Sequence, residues 1–152
     1  MNKFLISLGF TSTLFFTACS SYSITKYFDK DEFYLNSLQE TKKSDILINN
    51  EVKAIFTATY LNKVDEKYDN EFVNFIVSIY EVEKSNDFAL ELNGRKYTEL
   101  TKIASDSELI KSIPLKNSWA TYYFVKFEKS EEDKAISLKF KNQNNQEALL
   151  SF

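Results

Sequence analysis

The chain has 152 residues and a formal net charge of −3, with 43% hydrophobic and 27% charged residues. These values are typical of one globular domain, and they disfavour both disorder and nucleic-acid binding, which depends on an excess of basic residues. The sequence contains no His, one Cys and two Gly, which excludes His-based catalytic triads, most zinc and copper sites, intramolecular disulfides and glycine-rich phosphate loops. We therefore predict a protein without a cofactor, a metal or enzymatic activity.

The N-terminus resembles the signal peptide of bacterial lipoproteins. Lys3 precedes an apolar stretch over residues 4–16, which is too short to span a membrane. The stretch ends in Phe-Thr-Ala-Cys at residues 16–19, and this is similar to the lipobox, in which a bulky apolar residue and two small residues precede a cysteine that becomes lipidated. The resemblance implies cleavage before Cys19 and a lipid anchor on that residue, so that the protein is held on a membrane without spanning it.

The same resemblance predicts the location and the organisation of the chain. Ser20, rather than Asp, follows Cys19, and the sorting pattern of diderm bacteria then favours the outer membrane. We predict a signal peptide over residues 1–18, the lipidated Cys19 and a tether over 19–29, and a folded domain over 30–152.

Hydrophobic periodicity predicts one helix followed by strands. Asp29 and Glu32 have the spacing of a helix capping box, which predicts a short helix over about 30–39. Beyond Ser44 the period changes from helical to two, which indicates strands. The predicted strands are residues 46–48, 52–60, 72–80, 88–92, 95–97, 119–128, 136–141 and a last strand that ends at Phe152.

Two turns have specific signals. Asn93-Gly94 is a strong hairpin signal, because both residues tolerate positive φ, and a two-residue loop there pairs Leu92 with Arg95, Glu91 with Lys96, and Leu90 with Tyr97. Residues 105–108, Ser-Asp-Ser-Glu, resemble a second capping box, which predicts one helical turn that ends before Pro114.

Strands at short spacing with almost no helix between them exclude a parallel βαβ architecture. They predict an antiparallel immunoglobulin-like β-sandwich of about seven to eight strands with a short N-terminal helix. In this sandwich Trp119, Tyr123, Val125 and Phe127 are expected to point into the core. In its leader and its strand-rich body the chain resembles small immunoglobulin-like lipoproteins of Gram-negative bacteria.

Two strands are apolar on both faces. If Tyr123 and Val125 point inward, their neighbours point outward, and the same alternation applies to the strand over 72–80. A second apolar face indicates either that the N-terminal helix or a loop covers it, or that it binds a partner. The candidate partner surface consists of Phe72, Ile76, Tyr80, Tyr122 and Phe124.

The remaining polar features have no pattern specific to chemistry. The acidic residues over 65–71 lack the glycine and the spacing of a calcium loop, and we interpret them as a solvated loop. We expect a lipid-anchored, non-enzymatic envelope protein that binds an envelope or extracellular partner. Two alternatives are a small outer-membrane β-barrel, suggested by the alternating strands and the terminal Phe152, and a periplasmic enzyme with a carboxylate site.

Overall fold

A computed structural model describes residues 32–83, 87–133 and 135–152. The predicted signal peptide, Cys19 and the predicted cap at Asp29 lie outside these ranges. Within them, no helix is long and apolar enough to cross a membrane.

The described residues form nine strands and two short helices. The predicted N-terminal helix is confirmed over residues 32–39, and we name it α1. The other elements are β1 Thr41–Ile48, β2 Glu51–Tyr60, β3 Phe72–Glu81, β4 Phe88–Leu92, β5 Arg95–Lys96, β6 Glu99–Ile103, α2 Glu108–Lys111, β7 Thr121–Glu128, β8 Ser137–Asn142 and β9 Glu147–Ser151. The sequence pattern did not predict β6, because this edge strand is largely exposed and lacks a continuous apolar row.

The strands form two antiparallel sheets, as the sandwich prediction requires. A five-stranded sheet has the order β1-β2-β3-β7-β6, and a four-stranded sheet has the order β5-β4-β8-β9. If β2 to β9 are lettered A, B, C, C′, D, E, F and G, the sheets read A-B-E-D and C′-C-F-G, which is the strand order of the immunoglobulin scheme. The first strand, β1, is an addition at the edge of the five-stranded sheet.

The main core lies between the two sheets. The predicted inward row of β3, from Val73 to Ile79 at every second residue, is buried there, as are Val125 and Phe127 of β7. Phe56 of β2 and Phe140 of β8 stack across the sandwich with ring centroids 5.0 Å apart. Burial of each such side chain contributes about 1.5–3 kcal/mol, so aromatic packing holds the two sheets together.

The hairpin between β4 and β5 follows the predicted register in part. Asn93 and Gly94 both have positive φ, and Leu92 pairs with Arg95 and Glu91 with Lys96. The third predicted pair, Leu90 with Tyr97, is wrong. The chain leaves the four-stranded sheet after Lys96, because the backbone N–H of Thr98 donates to the carbonyl of Lys126 on β7, at 2.8 Å.

A second apolar cluster lies on the outer face of the five-stranded sheet. The predicted helical turn is confirmed as α2, and the side chain of Ser107 caps it by accepting from the N–H of Ile110. The turn, the loop after it and the segment after β2 all pack on the strands. The buried members of the cluster are Leu61, Ile76, Ile110, Ile113 and Tyr122, with Phe33, Leu109 and Phe124 among those partly buried.

The predicted position of Trp119 in the core is wrong. Its exposed fraction is 74%, and it precedes β7, which begins at Thr121. The N–H of Trp119 donates to Oδ1 of Asn117 at 2.9 Å, and the turn that this bond closes keeps Trp119 out of the strand.

Candidate functional site

The five residues of the candidate partner surface lie on the outer face of β3 and β7. The register places Ile76 opposite Phe124 and Ser78 opposite Tyr122, so these strands are neighbours. Two of the five are buried, since Ile76 is 1% exposed and Tyr122 is 2% exposed. The other three, Phe72, Tyr80 and Phe124, are partly buried. Most of this face is therefore covered, which is the alternative that the sequence pattern left open.

The part of the same face that stays open is a groove of about 310 Å³, which we call the Trp119 groove. Its floor includes one row of side chains across three strands, because Lys43 of β1 pairs with Thr57 of β2, and Thr57 pairs with Ser78 of β3. Ile55 is the apolar member of the floor. The chain over residues 115–119 forms the wall.

Two hydroxyl groups at the floor have no hydrogen-bond partner among the described residues. Thr57 is 7% exposed and Ser78 is 6% exposed. Both side chains line the groove, and neither hydroxyl makes a hydrogen bond to a residue that the structure describes. Each hydroxyl oxygen keeps contact with solvent, because among the described residues the one buried side-chain nitrogen or oxygen without a partner is Oδ1 of Asn74. The floor therefore presents two adjacent hydroxyls that are available to a bound molecule.

The wall is held by Tyr122, which follows Ser78 in the same row of side chains. Its hydroxyl accepts from the backbone N–H of Asn117 at 2.7 Å and donates to the carbonyl of Asn117 at 3.0 Å. Leu115 has a φ of +57°, a left-handed conformation that costs a bulky residue about 1–3 kcal/mol. Because a strained residue persists only where its surroundings impose it, the loop has a defined backbone shape, and this shape places Trp119 at the rim of the groove.

Hydrogen-bond donors predominate around the groove. Lys116 is exposed and makes no ion pair with a described residue, whereas Lys43 pairs with Asp45 at 3.0 Å. The indole N–H of Trp119 and the side-chain amide nitrogen of Asn117 are further donors, and no carboxylate of a described residue lines the groove. This arrangement suits a ligand that is rich in acceptors and has one apolar face.

Two carboxylates of the acidic loop over residues 65–71 form ion pairs with lysine side chains. Asp65 pairs with Lys67, and Asp69 pairs with Lys129, with 2.7 Å between the charged atoms in each case. The hydrogen bond from Lys129 holds the pKa of Asp69 below its ordinary value. Among the described residues, no three His, Cys, Asp or Glu side chains are grouped so that they could hold a metal ion.

A second cleft, of about 440 Å³, lies between α1 and residues 62–66. It is lined by Glu32 and Phe33, which adjoin residues that the structure does not describe. We assign it no role.

Sequence reasoning missed the Trp119 groove. The prediction treated Trp119 as a strand residue, although Asn117 two positions earlier is a signal for an Asx turn. The floor residues carry no joint signal, since Lys43, Thr57 and Ser78 are brought together only by strand register. No protein-family model matches the chain, and neither does any curated protein or solved structure.

Proposed function

We propose that this protein is a non-enzymatic binding module, held on the cell envelope by a lipid on Cys19, that binds an envelope or extracellular partner through the Trp119 groove. One observation carries the proposal: an exposed Trp119, on a loop of defined shape, stands beside two solvent-accessible hydroxyls that have no hydrogen-bond partner among the described residues. Tryptophan is enriched among the residues that dominate binding energies. A loop that is ordered before binding also avoids the entropy cost of ordering it.

The anchor is supported by the sequence alone. The lipobox-like residues 16–19 place the modified cysteine before residues 20–31, which connect it to α1. Two or three acyl chains bind a membrane stably where one chain is marginal. The Ser that follows Cys19 favours the outer membrane.

A binding role is also supported by the composition of the groove. In the part of the chain that the structure describes, no His, Asp, Glu or Cys lines the groove, and these side chains supply most general acid–base and nucleophilic chemistry. The polar side-chain groups of the lining residues are three hydroxyls, two ammonium groups, one amide and one indole N–H, and they are suited to recognition by hydrogen bonds.

Site-specific cross-linking tests the binding role. A photo-crosslinking amino acid replaces the exposed Ser118 at the groove in the full-length chain, and in a matched variant it replaces Leu149, which is exposed on β9 of the opposite sheet. We expect illumination of cells to give a discrete adduct from position 118 that disappears when Trp119→Ala is added. Equal adducts from both positions, or an adduct at position 118 that is unchanged by Trp119→Ala, would contradict the role of the groove.

Metabolic labelling tests the anchor separately. Cys19→Ser should abolish incorporation of a fatty-acid analogue and release the protein from the membrane fraction. Labelling that persists in Cys19→Ser rules out the lipoprotein assignment and leaves the groove proposal standing.

A further inference from the structure

We propose that the ligand of the Trp119 groove is an acidic saccharide. One sugar ring packs on the indole of Trp119, its hydroxyls bind Thr57 and Ser78, and its carboxylate or phosphate group lies against Lys116 and Lys43. This inference rests on the proposed function, because it names the ligand class of the same groove.

The size and lining of the groove favour a small polar ligand. Its volume of about 310 Å³ is at the lower end of the range for small-molecule sites, about 300–1,000 Å³. An apolar peptide side chain placed on the floor would cover the hydroxyls of Thr57 and Ser78 without giving them a partner, which is unfavourable. A ligand with its own hydroxyl groups satisfies both.

The hydroxyl pair matches the chemistry of a sugar ring. Thr57 and Ser78 lie directly opposite each other on neighbouring strands, which places their Cβ atoms about 4.5–5.5 Å apart. Each hydroxyl is both a donor and an acceptor, and so is each hydroxyl of a sugar. Neighbouring ring hydroxyls can therefore bind the two side chains in either direction of donation.

The indole supplies the apolar contact. Trp119 is 74% exposed at the rim, and its ring presents a flat face with a negative quadrupole. The C–H face of a sugar ring is apolar and weakly positive, so it packs on such a face. Because Tyr122 holds the loop through Asn117, this platform needs little ordering when the ligand binds.

Charge selects an acidic saccharide over a neutral one. The whole chain has a net charge of −3, yet the charged residues that line the groove are Lys43 and Lys116. Lys116 makes no ion pair with any residue that the structure describes. Charge-assisted hydrogen bonds from an ammonium group to an anion are about twice as strong as neutral ones. An anionic group on the sugar therefore adds affinity that a neutral sugar lacks.

Tryptophan emission measures occupancy of the groove directly, because Trp119 is the only Trp of the chain. The full-length protein in detergent is titrated with four compounds. They are a glucuronic-acid disaccharide, the same disaccharide with its carboxyl groups reduced to alcohols so that it is neutral, glucose 6-phosphate and inorganic phosphate. We expect the emission of Trp119 to shift to the blue and to saturate as the acidic disaccharide is added. The neutral form should bind at least about tenfold more weakly. The disaccharide and the sugar phosphate together show whether a carboxylate or a phosphate is preferred.

Substitutions show which side chain binds which group of the saccharide. Lys116→Ala should remove the preference for the acidic disaccharide, whereas Lys96→Ala, at an exposed lysine on β5 of the other sheet, should not. Thr57→Val and Ser78→Ala should weaken the acidic and neutral disaccharides equally, provided that circular dichroism shows the parent fold. The surface variant Lys116→Ala keeps the test valid if either floor variant unfolds.

Three results would overturn the inference. They are equal affinity for the acidic and neutral disaccharides, inorganic phosphate binding as tightly as any saccharide, and emission that no saccharide alters. If emission is unaltered but position 118 still cross-links in a manner that depends on Trp119, the ligand class is wrong and the proposed function stands. If the cross-link is also lost, both proposals fail.

Discussion

Removal of the Tyr122 hydroxyl by Tyr122→Phe tests whether this one group positions the wall of the Trp119 groove. The hydroxyl makes two hydrogen bonds to Asn117, at 2.7 and 3.0 Å. The ring itself stays in the second apolar cluster, since phenylalanine fills nearly the same volume and Tyr122 is already buried. The substitution therefore removes the two bonds and leaves the packing intact.

The expected cost follows from those two bonds. Each contributes about 0.5–1.5 kcal/mol net, and Asn117 is partly exposed, so water replaces part of what is lost. We expect the free energy of unfolding to fall by about 1–2 kcal/mol, which for a chain of this length lowers Tm by roughly 2–8 °C. Saccharide binding should fall as well, because a looser wall must be ordered on binding.

Tyr123→Phe is the matched control. Tyr123 is the next residue of β7, points to the main core and makes no hydrogen bond to a described residue. Its substitution should change the free energy of unfolding by less than about 0.5 kcal/mol. Chemical denaturation of both variants measures the difference. If Tyr122→Phe is as stable as Tyr123→Phe and binds as the parent does, the two bonds do not position the loop.

Trp119→Ala should lower the free energy of unfolding by less than about 0.5 kcal/mol, because the side chain is 74% exposed; a loss of about 3–5 kcal/mol on denaturation would mean that it fills a core. Leu115→Gly should leave stability unchanged or raise it by up to about 1 kcal/mol, since glycine adopts the positive φ of this position without strain, whereas the β-branched Leu115→Val should lower it. Hydrogen bonds from Arg95 lower the pKa of Asp133, so the stability that this carboxylate contributes is complete above about pH 5 and is lost as the pH falls through about 3.9 towards the lower pKa of the folded state. Asp133→Asn should reduce that acid-induced loss in denaturation curves recorded from pH 6 to 3. The exposed Asp106→Asn serves as its control, since Asp106 makes no ion pair with a described residue, and equal effects of the two substitutions would refute the role of Asp133.

Local patterns determined most of the strands and the fold class. Alternation of apolar residues along β2, β3, β7 and β8 depends only on neighbours in the chain, because side chains of a strand point to opposite faces at every step. The Asn93-Gly94 turn and the helical turn before Pro114 are local in the same sense. The two apolar faces of β3 and β7 also indicated that one sheet has a second layer or a binding surface, without deciding between the two.

Only the tertiary structure shows that a second layer covers most of the outer face of β3 and β7. A covered apolar face and an exposed one have the same alternation, and only the path of the chain over Ile76 and Tyr122 distinguishes them. The exposure of Trp119 likewise depends on where β7 begins, and the hydrogen bonds between Asn117 and Tyr122 contribute to that. The floor of the groove is a product of register, which sets residues from three strands side by side. Register and chain path arise from contacts between distant segments, and the periodicity of a single segment carries no information about them.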